Sequence, residues 1–205
     1  MPTLSLGAFD LAYAEQGEGP ATVLVHGMAA TRAEFTPLDV PGRVIAYDRR
    51  GYGESGAPEP YTRTTINEQA EDLATLIEEV GAAPALLVGA DFGGLVVLDA
   101  LLRHRRLARA AVFLDPPLHQ FTPEATEALS AERLALEEAL RFGGPREAVT
   151  RWLRARGGSA ARIERAVRDA RAFFADYGGM ATLPLSRGDL RGLDLPVGVV
   201  GAGEP

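Results

Sequence analysis

Cysteine and lysine are both absent from the 205 residues, and each absence removes whole chemistries. Without cysteine there is no disulfide framework, no thiol nucleophile and no thiolate metal site. Without lysine there is no Walker phosphate loop, no Schiff-base amine and no dehydrogenase built on a catalytic lysine; all 21 basic residues are arginine. Acidic residues outnumber them 28 to 21, a net charge of -7, so the overall field opposes a phosphate backbone and no nucleic-acid partner is expected. No run approaches the roughly 18 apolar residues of a membrane span, and Met1 to Asp10 show no basic segment followed by a long apolar one. A soluble, cytoplasmic protein without a membrane partner is the expectation. What is present is a hydrophobic fraction of 46%, enough for one substantial core.

Short β-branched runs alternate with helix-length amphipathic segments, the pattern of an α/β class with a mostly parallel sheet covered on both faces. The pattern predicts strands over Leu4–Phe9, Leu11–Glu15, Thr22–His26, Val44–Asp48, Ala85–Gly89, Ala110–Leu114 and Pro196–Val200, the first two as an antiparallel hairpin. Crossover helices are predicted over Ile66–Val80 and Phe92–Leu107. The arginines Arg103, Arg105, Arg106 and Arg109 close the second helix, where cations complement the dipole, and read as a solvated face rather than an anion site. From His119 to Leu193 only helical periodicity remains. Three helices are expected there: one capped by Thr122 with Pro123 at its first position and stopped by Gly143–Gly144, one over Pro145–Arg156, and one from Ser159 to Tyr177. The last carries Ile163, Val167, Ala170, Phe174 and Tyr177 on one face, a stripe read as core packing. The organisation is therefore a core over 1–118, a helical cap over 119–193 and a return to the core over 194–205.

Three motifs carry chemistry. In Leu86-Leu87-Val88-Gly89-Ala90-Asp91-Phe92-Gly93-Gly94, glycines stand two before and two after an aspartate between a buried strand and a helix. Such glycines let strand and helix approach closely and lift the central side chain to the helix N-terminus, the geometry a nucleophile needs. The helix end and its N–H groups are expected to keep the Asp91 carboxyl ionised by lowering its pKa. The plainer reading makes Asp91 an ordinary N-cap. In Val23-Leu24-Val25-His26-Gly27-Met28, a buried strand enters a small-residue loop whose Met28 N–H is expected to converge with that of Phe92 as an oxyanion hole; His26 reads as a structural histidine bonding the loop backbone. In Tyr47-Asp48-Arg49-Arg50-Gly51-Tyr52-Gly53-Glu54-Ser55-Gly56 a literal G-x-G-x-x-G follows a strand, but Pro58 and Pro60 keep it from opening a helix, so a dinucleotide site fails on context.

Together, His26-Gly27, the run from Asp48 to Ser55, the elbow at Asp91 and the helical insertion resemble the α/β-hydrolase superfamily over the whole chain. The resemblance implies a mostly parallel α/β-hydrolase sheet with a helical cap, here truncated after the seventh strand. Serine is the usual nucleophile; an aspartate is similar to the haloalkane dehalogenase, fluoroacetate dehalogenase and epoxide hydrolase branches, which work through an ester on the carboxylate. Met28 and Phe92 are then the backbone donors. The halide-binding tryptophan of dehalogenases is matched by Phe92, and the single tryptophan, Trp152, lies in the cap. The cap tyrosines of epoxide hydrolases find only Tyr177, which reads equally as a helix-face aromatic. The segment His26-Gly27-Met28-Ala29 looks more like serine esterases. The resemblance places an acid after the sixth or seventh strand, where Glu204 stands, with Asp115 as a second candidate, and a histidine after an eighth strand. Of His26, His104 and His119, none occupies that position.

The expectation is thus a hydrolase of small organic esters, epoxides or halides acting through Asp91 and Glu204, with no cofactor and no metal. The alternative is an inactive small-molecule-binding protein of the same fold. An exposed last strand further predicts a homodimer sealing that edge.

Overall fold

The apolar runs fold as seven strands, β1 (Thr3–Ser5), β2 (Asp10–Gln16), β3 (Ala21–Val25), β4 (Arg43–Tyr47), β5 (Ala85–Ala90), β6 (Ala108–Leu114) and β7 (Val197–Val200), in a computed structural model that describes residues 2–36, 38–118 and 125–201. They form one sheet in the order β1-β2-β4-β3-β5-β6-β7. β1 and β2 pair antiparallel, β2 runs antiparallel to β4, and every other pairing is parallel. The central strand β3 is buried at all five positions, which is why it reads as a continuous aliphatic run and not an alternating one. β1 ends at Ser5 instead of running to Phe9, because Leu6 to Phe9 make a turn in which the Leu6 N–H donates to the Phe9 carbonyl and Gly7 takes a φ of 82°.

Helices α1 (Ile66–Glu79) and α2 (Phe92–Arg103) cross between parallel strands. A capping box opens α1: Thr65 Oγ1 accepts from the Glu68 N–H, and Glu68 returns a carboxylate oxygen to the Thr65 N–H. α2 stops at Arg103 rather than Leu107; His104 leaves helical geometry and Arg105–Leu107 tighten into a 3-10 turn. Three arginines of the cluster bond the protein itself. Arg103 bonds Asp99, Arg105 bonds the Gly192 carbonyl, and Arg109 reaches the Ala21 carbonyl at 3.3 Å.

Between β6 and β7 the described chain is helical: α3 (Ala125–Ala155), α4 (Ala160–Ala166), α5 (Ala170–Gly179) and α6 (Arg187–Arg191). α3 is two helical runs joined at Gly144, whose φ of 75° precedes Pro145, as the glycine pair predicts. The expected cap by Thr122 and Pro123 lies outside the described residues. The third expected helix is broken into α4 and α5, because Asp169 leaves the helix to accept the Gly53 N–H at 3.0 Å. The stripe from Ile163 to Tyr177 packs on the main cluster, as a core face should. That cluster is continuous: Val25, Leu73, Leu87 and Leu95 of the sheet and its helices share it with Leu136, Val149, Leu153 and Phe173. No helix among the described residues is long and apolar enough to cross a membrane. β7 is the edge strand of the sheet among the described residues, with Val197, Val199 and Val200 exposed.

Candidate active site

Asp91 sits between β5 and α2 with φ 47° and ψ -123°, a strained backbone for a residue with a side chain. The surrounding glycines are demanded by space. A Cβ on Gly89 would lie 2.6 Å from the Gly93 carbonyl oxygen and 2.7 Å from the Gly94 Cα; one on Gly93 would strike the Val25 carbonyl and lie 2.6 Å from that of His26. Strand and helix therefore pass at backbone contact, and the bend throws the Asp91 side chain toward the loop after β3. Although Asp91 stands at the N-cap position, its side chain makes no capping bond to α2. Its Oδ2 instead accepts the Met28 N–H at 2.9 Å, across 63 residues of sequence. A Cβ on Gly27 would lie 2.8 Å from the Asp91 Cβ, so Gly27 is what admits the carboxylate to this loop.

Of the two backbone donors expected from sequence, the Met28 N–H bonds the Asp91 carboxylate directly, and the Phe92 N–H beside it favours the ionised form. Their net effect differs from expectation. Burial raises the Asp91 pKa, and the Met28 and Phe92 donors and the Arg49 charge only partly offset it. The fold accordingly binds this proton more tightly than the unfolded chain does. The stability it contributes is complete below the ordinary carboxyl value of 3.8 and is lost as pH rises through the elevated folded value. Asp91→Asn, which stays neutral, is therefore expected to gain stability relative to the parent as pH is raised from below the ordinary carboxyl value of 3.8 through the elevated folded value. Urea midpoints of the two proteins across that range test it; parallel curves would remove the claim.

Beneath the loop lies a buried polar network. His26 is fully buried; its Nε2 accepts the Arg49 N–H at 2.9 Å, so Nδ1 carries the proton and donates to the Gly27 carbonyl at 2.8 Å. Burial and the neighbouring Arg49 hold its pKa well below the usual imidazole value. This is the structural histidine expected, with both nitrogens engaged. The Arg49 guanidinium reaches the carbonyls of His26 and Gly27, Gln69 and the Asp176 carboxylate, and stacks 4.7 Å from the Phe92 ring. The Asp48–Ser55 run is a turn, closed by Gly51 N–H to the Gly56 carbonyl and Ser55 Oγ to the Asp48 carbonyl, and opens no helix.

Of the other candidate acids and histidines, His104 lies apart from Asp91, Asp115 lies beside it, and the rest are outside the described residues. His104, at the far end of α2, contacts Glu71 at 3.0 Å on the surface. His119 and Glu204 are outside the described residues. Asp115 follows β6 beside Asp91 across the sheet, exposed, with φ 46°, its N–H donating to the Val200 carbonyl at 2.6 Å. Tyr177 stacks on Phe173 with centroids 6.1 Å apart, and Trp152 donates to Glu132 while packing edge-on against Phe173. Sequence reasoning passed over Arg49, Gln69 and Asp176. The available signal was in α5: Ala172, Phe173, Asp176 and Gly179 recur at the spacing of one helix face, and a carboxylate on an otherwise apolar face requires a buried partner.

A model described as the alpha/beta hydrolase family matches residues 22–204. The bifunctional epoxide hydrolase 2 of Sus scrofa is 31% identical over 121 residues, 57% of this chain and 22% of that protein. The 2-(acetamidomethylene)succinate hydrolase of Mesorhizobium japonicum is 35% identical over 133 residues, 62% of this chain and 45% of that protein. The chain therefore spans less than half the length of these curated relatives. Among solved structures, a thermophilic esterase from Thermogutta terrifontis superimposes with a TM-score of 0.73 at 26% identity, over 96% of this chain and 76% of that one.

Proposed function

The chain belongs to the alpha/beta hydrolase family, and from that premise we propose that Asp91 is the nucleophile of a hydrolase acting on small epoxides. The observation that carries the reading is the Asp91 carboxylate held in a buried bend with one oxygen on the Met28 N–H. A carboxylate attacking an acyl ester would yield an anhydride, a less stable product than the ester it consumed. Attack on saturated carbon yields an ester. Among such substrates, halides lose support because Phe92 stands where a tryptophan would hold the leaving ion and Trp152 is engaged with Glu132. The epoxide hydrolase named among the relatives supports the remaining class.

In this reading Oδ1 of Asp91 forms the bond to carbon as the ring C–O bond breaks, and the ring oxygen takes a proton from water. The hydroxyalkyl ester then carries its carbonyl oxygen against the Met28 and Phe92 N–H groups, which are placed to bear the charge that develops when water adds. The helices between β6 and β7 act as the cap over this site, and Asp115 and Glu204 remain the proposed acids. Neither described histidine is placed to activate water at Asp91: His26 has both nitrogens engaged, and His104 lies about 20 Å along α2. Formation of the ester needs no such base, so this step can be read on Asp91 itself.

Incubation with styrene oxide tests this. Intact-mass and peptide mapping are expected to show one added epoxide on Asp91, absent from Asp91→Ala. An Asp91 left unmodified by saturating epoxide would overturn the nucleophilic role and leave a protein that binds without turnover.

A further inference from the structure

The direction of the Met28 N–H toward Asp91 is set one atom further back, by the Gly27 carbonyl of the same peptide. The Gly27 carbonyl and the Met28 N–H belong to one planar trans peptide and point in opposite directions. Whatever grips the carbonyl therefore aims the N–H. The Gly27 oxygen accepts Arg49 Nη2 at 2.9 Å and His26 Nδ1 at 2.8 Å, while Met28 N lies 2.9 Å from Asp91 Oδ2. Arg49 Nε holds the preceding carbonyl, that of His26, at 2.9 Å, so one rigid fork fixes two consecutive peptides. A cation on the carbonyl also polarises the peptide and strengthens its N–H as a donor.

Arg49 is itself fixed from a distant part of the chain. Asp176, fully buried on α5, accepts Arg49 Nη2 at 2.7 Å and the Tyr52 hydroxyl at 2.8 Å on Oδ2, and Gln69 Nε2 at 2.7 Å on Oδ1. Gln69 returns its Oε1 to Arg49 Nη1 at 2.6 Å. We propose that Arg49 and Asp176 are positioning residues: Asp176 makes helix α5 the anchor of Arg49, and Arg49 turns the Gly27–Met28 peptide so that its N–H faces the Asp91 carboxylate. The catalytic consequence rests on the nucleophilic reading of Asp91; the orientation of the peptide does not. Under this assignment the helical segment does more than roof the site, because its seating decides whether the backbone donor is in place.

A buried ion pair that served only as a structural tie would be replaceable by apolar side chains of similar volume. The double variant Arg49→Met, Asp176→Leu leaves no orphaned charge and separates the two roles. Positioning predicts three changes in it: an upfield shift of the Met28 amide proton, a further rise of the Asp91 carboxyl titration in 13C NMR, and an equal rise in the pH at which styrene oxide adduct formation reaches half its plateau rate, since only the ionised carboxyl attacks carbon. Should that variant fail to fold, Arg49→Lys keeps a charge opposite Asp176 but cannot hold both carbonyls, and the same three changes are expected. A folded variant with an unmoved Met28 amide and the parent's titration overturns the proposal, whatever its adduct rate. If the NMR signals move but even the parent forms no adduct, positioning stands and the nucleophilic reading falls.

Discussion

Gly93→Ala is expected to destabilise the chain by about 3 kcal/mol or more, the upper range for overpacking a filled interior. The added methyl has nowhere to go. It would press on the Val25 carbonyl and lie 2.6 Å from the His26 carbonyl, both backbone atoms of the β3 end, and neither can swing aside as a side-chain tip would. Helix propensity alone points the other way, since alanine is favoured over glycine inside a helix by about 1 kcal/mol. Contact with the β3 carbonyls is expected to win. Gly178, inside α5 with open space around its Cβ direction, supplies the control: Gly178→Ala is expected to be neutral or stabilising by up to about 1 kcal/mol. Urea unfolding of the three proteins decides between steric and propensity accounts, and a Gly93→Ala midpoint equal to the parent's would sink the steric one. The displaced His26–Met28 loop should also separate the Met28 N–H from Asp91, so the Asp91 carboxyl titration is expected to rise as stability falls.

The elbow was legible because its signal is local. Gly89 and Gly93 sit within four residues of each other, and their spacing reports a close backbone approach that no other residue allows. The seven strands were legible for a similar reason, since β3 and β5 are short aliphatic runs bounded by loop residues. Three features escaped because their causes are distant. The break between α4 and α5 depends on the Gly53 N–H, 116 positions from Asp169. The Arg49–Asp176 pair spans 127 positions, and nothing local to Arg49 and Arg50, both of them buried, tells which distant carboxylate each would meet. The direction of the Asp91 pKa failed differently: its donors could be read from the chain, whereas the desolvation that outweighs them exists only once helix, loop and strand have closed around it.

Asp48→Ala is expected to cost about 3–5 kcal/mol, the range for breaking a buried ion pair by deleting one partner. The run from Asp48 to Ser55 resembled a phosphate-binding fingerprint, but its first aspartate is a knot that ties three segments. Oδ1 accepts the Arg32 N–H at 2.8 Å; Oδ2 accepts the Glu54 N–H at 2.9 Å and the Arg32 guanidinium. The side chain is 2% exposed, so water cannot replace it at these donors. Gly53 is required by the same arrangement, because a Cβ there would lie 2.6 Å from the Asp48 carboxyl carbon and the backbone has a φ of 55°. Asp48→Asn should recover only part of the loss: both carboxylate oxygens accept N–H groups, and an amide presents its own donors to one of them. Arg49 follows Asp48 on this loop, so loosening the knot should also shift the Met28 amide resonance in the variant that remains folded. An alanine variant within about 1 kcal/mol of the parent would mean that the neighbouring Arg32–Glu54 contact holds the loop alone. A stability loss with an unmoved Met28 resonance would instead confine the role of Asp48 to the turn and leave Asp176 as the anchor of Arg49.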